Sequence, residues 1–206
     1  MTEGMNGPTG TVDLYWIPLG AGAHVVRISG RVFEAVSAFV QRRERYDLYH
    51  SALVIHVPEG RFVIEQAPVP DLHGQQRGVV AEGPVGVRWA GRFRVFRYEI
   101  RRWRDGRIPD VDEAIASPMS LADDVSAARR ILDGLPAIPT PVWGRDELGT
   151  GEMWNSNSVI SWALTVSGID IAAVCLPGGG RAPGWHAGIV VASRGLAREA
   201  CPARGE

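Results

Sequence analysis

Residues 48–68, LYHSALVIHVPEGRFVIEQAP, limit what this chain can fold into more than any other stretch. Two runs rich in Val, Ile and Leu flank the turn-forming triplet Pro58-Glu59-Gly60, and this pattern predicts an antiparallel hairpin. A two-stranded hairpin is only marginally stable in water, so the rest of the chain must add strands and a cover. Further strands are predicted in TVDLYWIPLG (11–20), AHVVRISG (23–30), short pieces of VVAEGPVGVRWAG (79–91), RFRVFRYEIRRW (92–103) and WHAGIVVAS (185–193). Helices are predicted in RVFEAVSAFVQRRERY (31–46), with Val32, Val36, Phe39 and Val40 near one face, and in SVISWALTVSG (158–168). The clearest helix is SLADDVSAARRILDGLP (120–136): Ser120 can cap it, Asp123 and Asp124 fall in its first turn, and Gly134 with Pro136 ends it. The expected fold is therefore α+β, an antiparallel sheet of about five or six strands packed with about three helices. It forms one globular domain over 11–206 after a polar tail at 1–10.

Charge narrows the function classes. The 22 basic residues are all Arg and are balanced to a net charge of −1, so no global field draws the chain to nucleic acid or to a membrane surface. The opening MTEGMNGPTG has no basic region followed by an apolar stretch, and no apolar run has the length of a membrane span. A cytoplasmic protein is expected. Cys175 and Cys201 share no metal-type spacing with each other or with a His, so neither a metal nor another cofactor is expected. The GAGAHV stretch at 20–25 fails as a dinucleotide fingerprint, because Val25 stands where the third Gly belongs and a strand-like run follows.

Chemistry concentrates in WNSNSVISW (154–162), where four small hydrogen-bonding side chains precede an apolar helical run. Asn155 or Ser156 suffices as an N-cap. The free N–H groups and dipole of a helix start also suit a nucleophile and an oxyanion, which makes Ser156 a candidate. A serine nucleophile needs a base, usually His. His24, His56 and His73 read as structural or surface residues. His50 and His186 each open a predicted strand and are followed by small residues, which leaves room for a partner helix.

YHSALVI followed by GRFVIEQAP resembles the His-bearing hairpin of the circularly permuted papain-like superfamily. That group includes the PPPDE peptidases, the lecithin:retinol acyltransferase-like enzymes and permuted relatives of the NlpC-type peptidases. NSNSVISW is similar to the group's second motif, in which a Cys nucleophile begins a helix, with Ser156 in place of that Cys and Asn155 before it. The resemblance implies His50 as base, with Glu65, or else Gln66, as the polar residue that orients it. WHAGIVV is similar to the corresponding His strand of unpermuted relatives, which keeps His186 as the competing base. The implied activity is that of a hydrolase or acyltransferase acting on an amide, ester or thioester. Serine cannot ionise as a cysteine does and must hand its proton to the base as it attacks, so the substitution leaves a catalytically inactive binding or scaffold protein as the alternative. A third reading comes from RWAGRFRVFRYEIRRWRDGR (88–107), where Arg and aromatic residues interleave. There an Arg face over 92–104, including Arg97 and Arg101, would meet phosphates while rings stack on bases.

Overall fold

The computed structural model describes residues 10–19, 47–69, 77–108 and 110–200. The strand expected at 23–30, the helix expected at 31–46, His24, His73 and Cys201 lie outside the described residues. The described strands form one sheet: β1 (Thr11–Pro18), β2 (Tyr49–Val57), β3 (Gly60–Pro68), β4 (Val79–Pro84), β5 (Arg97–Arg104) and β6 (Met119–Ala122). Its order is β4-β5-β3-β2-β1-β6, and every pairing is antiparallel. Three helices follow: α1 (Val125–Gly134), α2 (Ser156–Val166) and α3 (Trp185–Ala200). The expected α+β class is what the chain adopts.

Period-2 alternation along each strand sends side chains to two faces. Leu14, Trp16, Leu53, Ile55, Ile64 and Ile100 form a first face, which packs against Val159, Ile160 and Leu164 of α2 and Ile131 and Leu132 of α1. Ile17, Ala52, Val54 and Val63 form a second face with Ile108, bordered by Tyr15, Trp103, Val111 and Ala114. Helix α2 is the hub of the first face, with every residue from Ser156 to Leu164 buried.

Three expectations need correction. The helix read over 120–136 begins only at Val125, because Met119–Ala122 extends and pairs with β1, Leu14 opposite Met119 and Asp13 opposite Ser120. Its cap is Asp124, whose carboxylate accepts from the amides of Ser126 and Ala127, not Ser120. In the strand read over 92–103, only the second half is extended; Arg88–Arg92 and Arg94–Phe96 are short 3-10 turns. Finally, 185–193 is not a strand but the start of α3. Its Ile and Val run favours strands locally, yet Ala187, Gly188 and Ala192 bury one helical stripe, and tertiary packing outweighs weak local propensity.

That stripe explains how closely the helices approach. A Cβ on Gly188 would stand 2.1 Å from the Ser158 carbonyl oxygen and 2.1 Å from the Ser161 hydroxyl. The two helices run in the same direction: Ser158 and Ser161 reach Gly184 and Trp185, while Val166 lines a groove with Leu196. Gly188→Ala should force α3 away from α2 and destabilise the protein by about 1–3 kcal/mol, the usual consequence of overpacking. Urea unfolding of the variant beside the parent measures it.

Candidate functional site

The β2–β3 ladder runs only from Val57 opposite Gly60 to Leu53 opposite Ile64. Beyond it the two strands diverge: residues 49–52 stay paired with β1, and 65–68 with β5. The start of α2 and the segment before α3 fill the fork. Leu48 bridges Arg181 in parallel, and the Tyr49 amide donates to the Arg181 carbonyl at 2.9 Å. Asn157 binds on both sides of His50: its Nδ2 donates to the Tyr49 carbonyl at 2.9 Å, and its Oδ1 accepts from the Ser51 hydroxyl at 2.9 Å.

The polar run of WNSNSVISW has a structural answer. Asn155 is the N-cap; its Oδ1 accepts from the amides of Asn157 at 2.9 Å and Ser158 at 3.4 Å. Ser158 completes a capping box by accepting from the Asn155 amide at 3.1 Å. The same side chains then take three successive carbonyls of the chain entering α3. Asn155 and Asn157 donate to Pro183 at 2.7 and 2.9 Å, Ser158 donates to Gly184 at 2.7 Å, and Ser161 donates to Trp185 at 2.7 Å. Glu152 closes the joint from the other side, accepting from the amides of Gly184 at 2.9 Å and His186 at 3.2 Å. Ser156 stands apart. It is the first residue of α2, buried, and its hydroxyl makes no hydrogen bond among the described residues.

The other candidates are distributed as follows. Ser51 points to α2, so strand alternation turns His50 to the second face, where the charge of Asp110 reaches it. Burial pushes the His50 pKa down to about 4, with Asp110 opposing the shift, so the ring is neutral at pH 7. Glu65 shares that second face but is committed elsewhere: Arg101 Nη1 bonds it at 2.6 Å, Arg101 Nε bonds Glu99 at 2.5 Å, and Arg77 Nε bonds Glu99 at 2.7 Å. Burial raises the Glu65 pKa in spite of Arg101. Burial also opposes the Glu99 charge, but the hydrogen bonds from Arg77 and Arg101 outweigh it and hold that carboxyl below the usual range. Gln66 lies on the first face, buried, with neither amide atom partnered. His186, near the start of α3, is exposed. Thus Glu65 and His50 share a face, Ser156 begins a helix on the other, and no hydrogen bond links any two of the three. Arg101 is a core ion-pair residue and is not displayed for phosphate contacts.

Sequence reasoning missed the joint made by Asn157, Ser158, Ser161 and Glu152. One signal was available: Asn155, Ser158 and Ser161 recur every third residue, on one side of a helix. Among the described residues, no group of three or more His, Cys, Asp or Glu side chains is placed to hold a metal ion. No helix there is long and apolar enough to cross a membrane. Compared with known protein families, curated proteins and solved structures, the chain gives no match.

The His50 environment carries a signed pH dependence. Its folded pKa of about 4 lies below the unfolded value of about 6.5, so on acidification the unfolded chain takes up the proton first. The stability gained from keeping the ring neutral is fully present above about pH 6.5 and is lost as the pH falls toward about 4. In His50→Gln the loss of stability across that window should shrink by up to about 3 kcal/mol, read from urea midpoints at each pH.

Proposed function

We propose that this chain is a binding protein that keeps a papain-like arrangement of a helix start against a hairpin and does not catalyse through Ser156 and His50. The observation that best supports this reading is the division of the site between the two faces of the sheet. Asn157 reaches the residues on either side of His50, yet the His50 ring turns to the face opposite α2. A general base must come within hydrogen-bond reach of the proton it removes, directly or through one water. The polar residues around Ser156 also work as fasteners. Asn155, Asn157, Ser158 and Ser161 spend their hydrogen bonds on the cap and on carbonyls 183–185, and Glu65 is spent on Arg101.

The serine hydrolase is the second reading, favoured by one observation: the unengaged Ser156 hydroxyl at a helix start. A fluorophosphonate probe separates the two. The binding reading expects no labelling of Ser156. It also expects Ser156→Ala to keep its stability within about 0.5 kcal/mol, since Asn155 and not Ser156 is the cap. Labelling that disappears in both Ser156→Ala and His50→Ala would establish the hydrolase and overturn the binding reading.

A further inference from the structure

The turn between β4 and β5 is unlike the rest of the surface. Trp89, Phe93, Val95 and Phe96 are 65%, 49%, 74% and 47% exposed, four large apolar side chains within eight residues. The segment holding them is well built. Its backbone bonds run from Val87 to Val85, Ala90 to Val87, Phe93 to Ala90 and Phe96 to Phe93, at 2.8 to 3.1 Å. Ala90 is buried beneath it, Arg97 Nε donates to the Gly91 carbonyl, and Val85 bridges Trp143 at its root. A scaffold that hydrogen-bonds its own backbone and still displays four large apolar side chains within eight residues marks an interaction site.

We infer that this tip docks on an anionic lipid surface, inserting Trp89, Phe93, Val95 and Phe96 at the interface. The inference supplies a partner for the binding role proposed above and rests on that reading. Charge complementarity favours it: residues 83–98 contain Arg88, Arg92, Arg94 and Arg97 and no acid, in a chain whose net charge is −1. Glu147 pairs with Arg88 at 2.7 Å and Glu82 with Arg97 at 3.3 Å, so part of this basic charge is compensated from outside the 3-10 turns, while the turns themselves contribute no acid. Aromatic and aliphatic side chains with basic neighbours are the composition that seats in a headgroup layer, where apolar insertion and attraction to anionic lipid act together. Base stacking fits less well. The Arg92 guanidinium already lies over the rings of Trp89 and Phe93, at 5.2 and 5.0 Å from their centroids, and Val95, the most exposed of the four, has no ring to stack. Four side chains also fall short of the roughly 800 Å² per partner that a stable dimer buries.

The test is co-flotation of the full chain with phosphatidylcholine vesicles and with vesicles containing about one third phosphatidylserine. Binding is expected to the anionic vesicles, at least about tenfold weaker to the neutral ones, and at least about tenfold weaker again for Val95→Asp and for the Trp89→Ala/Phe93→Ala double variant. These side chains are largely exposed, so unchanged melting curves should accompany the loss. Failure to bind anionic vesicles, or binding that Val95→Asp leaves intact, overturns the inference. Self-association or oligonucleotide binding that Val95→Asp abolishes, without vesicle binding, overturns the lipid assignment in favour of that partner. None of these outcomes alters whether Ser156 takes the fluorophosphonate probe, so failure of the lipid inference and failure of the binding reading remain distinguishable.

Discussion

The joint between α2 and the chain entering α3 holds the first face together. Three consecutive carbonyls, Pro183, Gly184 and Trp185, each accept hydrogen bonds from side chains of the cap and first turns of α2. Asn157 extends the same joint to β2 through Tyr49 and Ser51. These groups are buried or partly buried, and a buried carbonyl or amide left without a partner costs roughly 1–3 kcal/mol. The joint therefore acts as one unit: it sets the depth of the α2 start in the β2–β3 fork, the entry of α3, and the close approach of the two helices at Gly188. Trp185, the last residue of the joint, packs its ring with the centroid 5.1 Å from that of Trp16 of β1.

The second face follows a different rule. Its apolar cluster is small, and beside it lies a chain of charges, Glu65, Arg101, Glu99 and Arg77, bonded in series. Buried ion pairs hold only when each member keeps its partner, because the cost of removing charge from water is of the same size as the attraction. Arg101 satisfies two carboxylates, Glu65 of β3 and Glu99 of its own strand β5, which ties β3 to β5 where β3 has already parted from β2. The fork and the ion chain are thus related. Without β2 as a neighbour, residues 65–68 are held through β5. His50, on the same face of the sheet, is kept neutral by burial.

Function divides along the same lines. Much of what is polar around the start of α2 is consumed by the fold, and four of the large apolar side chains left exposed fall within one turn. A sheet protein must reverse direction between β4 and β5, but the reversal does not require Trp89, Phe93, Val95 and Phe96 to face water. Their exposure is costly to solubility, which is the physical reason to assign the turn a partner.

The hairpin at 48–68, β1 and the α+β class were legible in the residues, because alternation and turn chemistry are local. The start of α2 was legible for the same reason, since an N-cap acts within its own first turn. The end of the chain was not: Ile189, Val190 and Val191 read locally as a strand, and only contact with α2 makes helix the better state there. Ser120 read as a cap because nothing in its neighbours reveals that Asp13 will pair with it from more than a hundred residues away. The candidate site divides in the same way. Sequence alone determined which residues could do chemistry, Ser156 among helix-start polar groups, and His50 and Glu65 on neighbouring strands. Which face each side chain uses was decided only by the tertiary structure, because one peptide unit turns a strand side chain through half a revolution. Asn157 selects Ser51, and that choice sends His50 to the other side.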